Sequence, residues 1–137
     1  VTLNDYRECY SWQEAMELGR PLTKLTEDLP AQEERGLISS LQGLMIELPA
    51  TIAVDLITNT NSRLAVILRM QAALELIERV YPALDTAEPK TALERLIERC
   101  ESPAFNEVHV PPAPVEEVDE DEDPAPAPTV EVATESV

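Results

Sequence analysis

The chain has 137 residues, with 27 Asp and Glu against 10 Lys and Arg, for a formal net charge of −17. That length points to one domain, and so acidic a chain repels polyanions at long range. Two cysteines, Cys9 and Cys100, are too few for a disulfide framework.

Val1-Thr2-Leu3-Asn4-Asp5 lacks the basic start and apolar run of a signal peptide. No stretch reaches the roughly 20 apolar residues expected of a membrane span. A cytoplasmic protein with no membrane partner is therefore expected. Asn4 or Thr2 is placed to cap a first helix, with Asp5 and Glu8 in its first turn, where carboxylates oppose the positive end of the helix dipole. Cys9, Trp12, Met16, Leu18, Leu22, Leu25 and Leu29 recur at helical spacing. Gly19-Arg20-Pro21 interrupts them, which predicts one helix kinked at Pro21 or two shorter ones.

Pro30 opens a second helix with the stripe Leu37, Leu41, Leu44, Leu48, Ile52 and Leu56, and with Pro49 as a second expected kink. Residues 57–61 form a turn cluster, and Asn61 or Thr60 is expected to cap a third helix. Leu64, Ile67, Leu68, Leu74, Ile77 and Tyr81 give that helix its period. A fourth, shorter helix runs from Thr86 or Glu88 to about Glu101, with Leu93, Leu96 and Ile97 facing inward. The expected fold is all-α, an antiparallel up-down four-helix bundle over 1–103. One Trp, three Tyr and one Phe leave most of the packing to Leu and Ile, and the thin fourth helix hints at completion by neighbouring copies.

From Ala104 to Val137 there are ten acidic residues and no Lys or Arg, and Pro111, Pro112, Pro114, Pro124, Pro126 and Pro128 crowd the same stretch. Such a composition cannot bury enough apolar surface to offset the entropy of ordering, so 104–137 is expected to be a disordered acidic tail.

Candidate chemistry is sparse. His109 is the one histidine and falls in the tail, so Ser39-Ser40, Cys9 and Cys100 have no imidazole base in the body. The pairs Glu27-Asp28 and Glu33-Glu34 lie near helix ends, where capping and solvation account for them. Gly36 and Gly43 are isolated on the second helix and read as places of close helix–helix approach rather than a phosphate loop. No catalytic residue, metal ligand, cofactor or small-molecule substrate is expected. Arg63, Arg69 and Arg79 are the candidate nucleic-acid contacts, although three arginines on one helix more often form a solvated face. Asp119, Glu120, Asp121, Glu122 and Asp123 are the candidate docking run for a basic partner, against the plainer reading that they keep the chain soluble.

The segment Trp12-Gln13-Glu14-Ala15-Met16-Glu17-Leu18 resembles the four-helix-bundle family of proteins encoded by 23S rRNA intervening sequences. That family includes the accessory variability protein of diversity-generating retroelements. The resemblance continues through Leu25-Thr26, Leu29-Pro30, Glu33, Gly36-Leu37, Ser39 and Leu41 to Leu48-Pro49 and Ile52-Ala53, and then through Ala73-Leu74-Glu75 and Tyr81. It implies a nonenzymatic homo-oligomer, a pentameric ring in known members, and in the retroelement branch a partnership with a reverse transcriptase and its RNA. The sequence departs from the family at Gln42 and Gly43, where members often carry two arginines, and at Thr51-Ile52-Ala53-Val54-Asp55. The expectation is an oligomeric helical accessory or scaffold protein. The alternatives are direct nucleic-acid binding and an acidic adaptor that docks a basic protein through its tail.

Overall fold

The computed structural model describes residues 1–108, which are mostly helical and contain no strand. Five α-helical segments follow one another: α1 (Tyr10–Glu17), α2 (Gly19–Asp28), α3 (Ser39–Thr58), α4 (Arg63–Val80) and α5 (Ala87–Glu101). Leu18 keeps helical torsions between α1 and α2, so these two form one interrupted rod and the body has four rods in all.

The first rod starts later than the sequence suggests. A single 3-10 turn at Tyr6–Glu8 precedes it, and Cys9 is extended. The Asp5 carboxylate does not oppose a helix dipole; it accepts a hydrogen bond from the Thr2 backbone N–H at 2.6 Å. The interruption falls at Leu18, not at Pro21. Pro21 lies in the first turn of α2, where a missing N–H forfeits no helical hydrogen bond.

The second rod begins as a 3-10 turn (Ala31–Glu33) and a π-turn (Glu34–Ile38) before settling into α3, which continues through the buried Pro49. Asn59, left-handed at φ 58°, ends it. Asparagine tolerates that conformation better than most residues. An 18-residue window inside Ala31–Thr58 has mean hydropathy 1.5, a length and composition that would cross a membrane and that core helices of folded proteins share. Between Gly36 and Val54 the only charge is Glu47.

One core joins the rods. Leu18 and Leu22 of the first rod, Leu41, Leu48 and Ile52 of α3, Met70 and Ile77 of α4, and Leu96 of α5 are fully buried. α1, α2 and α4 all pack on α3, and α5 packs on α1 and α2. Burial of this kind contributes about 1.5–3 kcal/mol for each large aliphatic side chain.

The body does not stop at residue 103. A 3-10 turn at Pro103–Asn106 folds the chain back over the first rod. Ser11 Oγ donates to the Phe105 carbonyl at 2.8 Å, the Tyr10 N–H donates to the Glu107 carbonyl, and Cys9 and Val108 form an isolated antiparallel bridge. The expected tail boundary at 104 therefore cuts through a packed strap, because Phe105 and Ser102 supply contacts that composition alone hides. The remainder of the expected tail lies outside the described residues.

Candidate functional site

The α3–α4 hairpin presents two environments. The first is its turn. Asp55, near the end of α3, is buried with a side chain 0% exposed, and it accepts hydrogen bonds from Thr60 Oγ1 (2.6 Å), the Ser62 N–H (2.8 Å), the Arg63 N–H (2.8 Å) and Arg63 Nη1 (3.0 Å). The carboxylate thus caps α4 from the preceding helix, the role expected of Asn61 or Thr60. Burial pushes the Asp55 carboxyl up, but these hydrogen bonds outweigh it and hold the group below its ordinary value.

Arg63 extends this node to the C-terminal strap. Its Nη1 donates to the Thr60 carbonyl and its Nη2 to the Cys100 carbonyl, and its guanidinium stacks 3.6 Å from the centre of the Phe105 ring. A buried ion pair with this many supporting bonds holds three parts of the chain together. Its Nε is the one buried side-chain polar atom without a partner among the described residues.

The second environment is the hairpin's outer face. Helical spacing places Gly43, Ile46, Ala50 and Val54 on the outward side of α3, and Ala65, Leu68 and Ala72 on the outward side of α4. Ile46 is 75% exposed and Leu68 64%. The two helices run in opposite directions, since Asp55 pairs with Arg63 and, farther along, Glu47 with Arg69 at 2.8 Å. A groove of about 490 Å³ follows the seam, walled by small residues including Ser40, Gly43, Ala72 and Ala73, with Leu76 at its end. Glu47 and Arg69 are the charges in the seam.

The three candidate arginines do not share a face. Arg63, 11% exposed, is committed to Asp55. Arg69 is bound to Glu47 across the seam. Arg79 is exposed and sits 3.9 Å from Glu75. Helical periodicity already separates Arg63 from Arg69, because six residues along a helix turn the side chain by about 240°. The candidate docking run Asp119 to Asp123, and His109, lie outside the described residues.

Both cysteines are free and buried. Burial raises the Cys9 thiol and pushes the Cys100 thiol up to about 11, against the opposing pull of Arg63. Neither is poised as a thiolate. Ser39 and Ser40 are exposed on the groove wall. Among the described residues no group of three or more His, Cys, Asp or Glu is placed to hold a metal ion.

No protein-family model, curated protein or solved structure matches the chain.

Proposed function

We propose that the chain is a nonenzymatic scaffold, an up-down four-helix bundle that assembles with further copies of itself and serves a larger complex. The observation that carries this reading is the apolar outer face of α3 and α4. Large exposed apolar patches on a folded body mark interaction surfaces, and Ile46, Leu68, Val54 and Leu76 stand out of this one into solvent. The sequence resemblance supplies the kind of complex: a reverse transcriptase with its RNA, for which this protein is the accessory subunit. The committed positions of Arg63 and Arg69 weigh against direct RNA binding by those two side chains.

Light scattering on the purified chain at micromolar concentration tests the assembly. A defined multiple of the monomer mass is expected. A strict monomer with native helicity overturns the reading.

A further inference from the structure

α4 and α5 are neighbours that scarcely touch. α4 packs on α3, and α5 packs on the first rod. Two polar clasps hold them side by side. At one end Glu78 pairs with Lys90 at 2.8 Å and accepts a hydrogen bond from Thr86 Oγ1 at 2.9 Å. At the other, Arg63 Nη2 donates to the Cys100 carbonyl at 3.2 Å. Arg63 and Glu78 lie about 22 Å apart along α4. Between the clasps the two helices leave a groove of about 330 Å³, with the buried Leu74 and Leu93 and the half-buried Ile97 as its floor.

The walls of this groove are acidic. Gln71, Glu75 and Glu78 follow one side of α4 at helical spacing, and Lys90, Glu94, Ile97 and Glu101 follow the facing side of α5. Glu94 and Glu101 have no ion pair among the described residues, and Glu75 reaches only Arg79, at 3.9 Å. Lys90 is the one cation in the lining. Glu78, with Glu94 and Glu75 farther off, holds its ammonium above the ordinary lysine value.

The geometry points to this groove as the docking surface for a basic amphipathic helix of another protein. The apolar row of that helix lies on the floor. Lys or Arg on its two flanks meet Glu75 on one wall and Glu94 with Glu101 on the other.

Backbone chemistry, length and charge select that occupant. Both walls are helices whose backbone groups are already hydrogen-bonded, so an extended strand would find nothing to pair with, whereas a helix satisfies its own backbone. The distance between the clasps takes about four helical turns. Carboxylates on both walls repel a polyanion and attract a cationic partner. A second copy of the chain lacks the complementary helix. Its α1, α3 and α5 are net acidic and its α2 is neutral. On its α4, Arg63 is buried against Asp55 and Arg69 is bound to Glu47. Residues 104–137 carry no Lys or Arg, so the end of the chain does not supply the occupant either. The groove and the α3–α4 seam lie on different sides of α4, since Glu75 and Arg69 are about 240° apart around it. The inference therefore does not rest on the self-assembly reading.

The test uses the full chain. The probe is a fluorescein-labelled amphipathic peptide of Leu and Lys about 15 residues long, followed by fluorescence anisotropy at about 0.15 M salt. It is expected to bind, and a scrambled peptide of the same composition, which has no apolar row, to bind at least about tenfold more weakly. Glu75→Lys combined with Glu94→Lys is expected to weaken binding at least about tenfold, with far-UV circular dichroism unchanged because both positions are exposed. Three control variants should each stay within about twofold of the wild type, because exposed charges this far away are screened. Glu27→Lys with Asp28→Lys makes the same change of net charge at the end of α2. Asp119→Asn with Asp121→Asn and Asp123→Asn relieves the acidic run, and Ile46→Arg alters the other apolar face. Absence of binding, equal binding of the two peptides, or an equal loss in any control variant overturns the inference. So does a change in the mass of the chain's own assembly in the Glu75/Glu94 variant, which makes a second copy the occupant.

Discussion

The buried turn of the α3–α4 hairpin and its outer face invert the usual placement of residues. At the turn, Asp55 and Arg63 are held inside, and all but one of their side-chain polar atoms have partners. On the outer face, Ile46, Val54 and Leu68 stand in solvent beside a glycine with open space around it. The turn is complete within one chain. The face is left open to solvent. Charge placed inside serves the fold here, and on the proposed reading the apolar surface placed outside serves association.

The largest effect is expected where the turn is broken. Asp55→Ala leaves the Arg63 guanidinium buried without its counter-ion, and urea unfolding should register a loss of about 3–5 kcal/mol. An equal unfolding curve would mean that the pair contributes nothing. Leu48→Ala, in the fully buried interior shared by both environments, is expected to cost about 2–5 kcal/mol in the same assay.

Acid sharpens the contrast. Asp55 titrates at about 3.9 in the unfolded chain and lower in the folded one. Between the two values the unfolded chain binds more protons, so stability rises with pH there. The contribution of Asp55 is whole above that unfolded value and is lost as pH falls through the folded one. The gap in urea midpoint between wild type and Asp55→Asn should therefore narrow as the pH is lowered below about 4.

Two small effects mark the outer surface. Gly43→Ala, followed by thermal unfolding at concentrations where the chain is monomeric, should stabilise the fold by about 0.5–1 kcal/mol. A destabilised variant would show that the glycine is needed inside the chain. Arg79→Ala removes an exposed pair at 3.9 Å from Glu75 and should shift stability by no more than about 0.5 kcal/mol.

Helix content and most of the core were legible, because Leu, Ile and Met recur every three or four residues and tertiary packing reinforces that period. Leu41, Leu48, Ile52 and Leu96 are all buried as the stripes suggest. Helix starts were less legible. Asn4 and Thr2 look like caps, yet the chain spends that segment on a turn closed by Asp5. The capping of α4 by Asp55 was hidden for a related reason. A side chain eight residues before Arg63 reaches its N–H only because the turn at Asn59 folds back. The strap was missed because its anchors, Ser11 with Phe105 and Cys100 with Arg63, are far apart in sequence. The exposed face lay inside the pattern itself. α3 is apolar nearly all round, and the stripes read from the sequence took in Met16, Leu64 and Leu68 as well, which the structure leaves exposed.

The bridge between Cys9 and Val108 sets the start of the first rod beside the end of the described residues. A short linker from Val108 to the first rod would close that gap without moving a helix, and new ends could be opened at the exposed Pro82-Ala83 between α4 and α5. In such a permuted chain the strap becomes an interior connection. Residues beyond Val108 would then be severable from the body, and their contribution to partner capture could be measured apart from the fold that carries them.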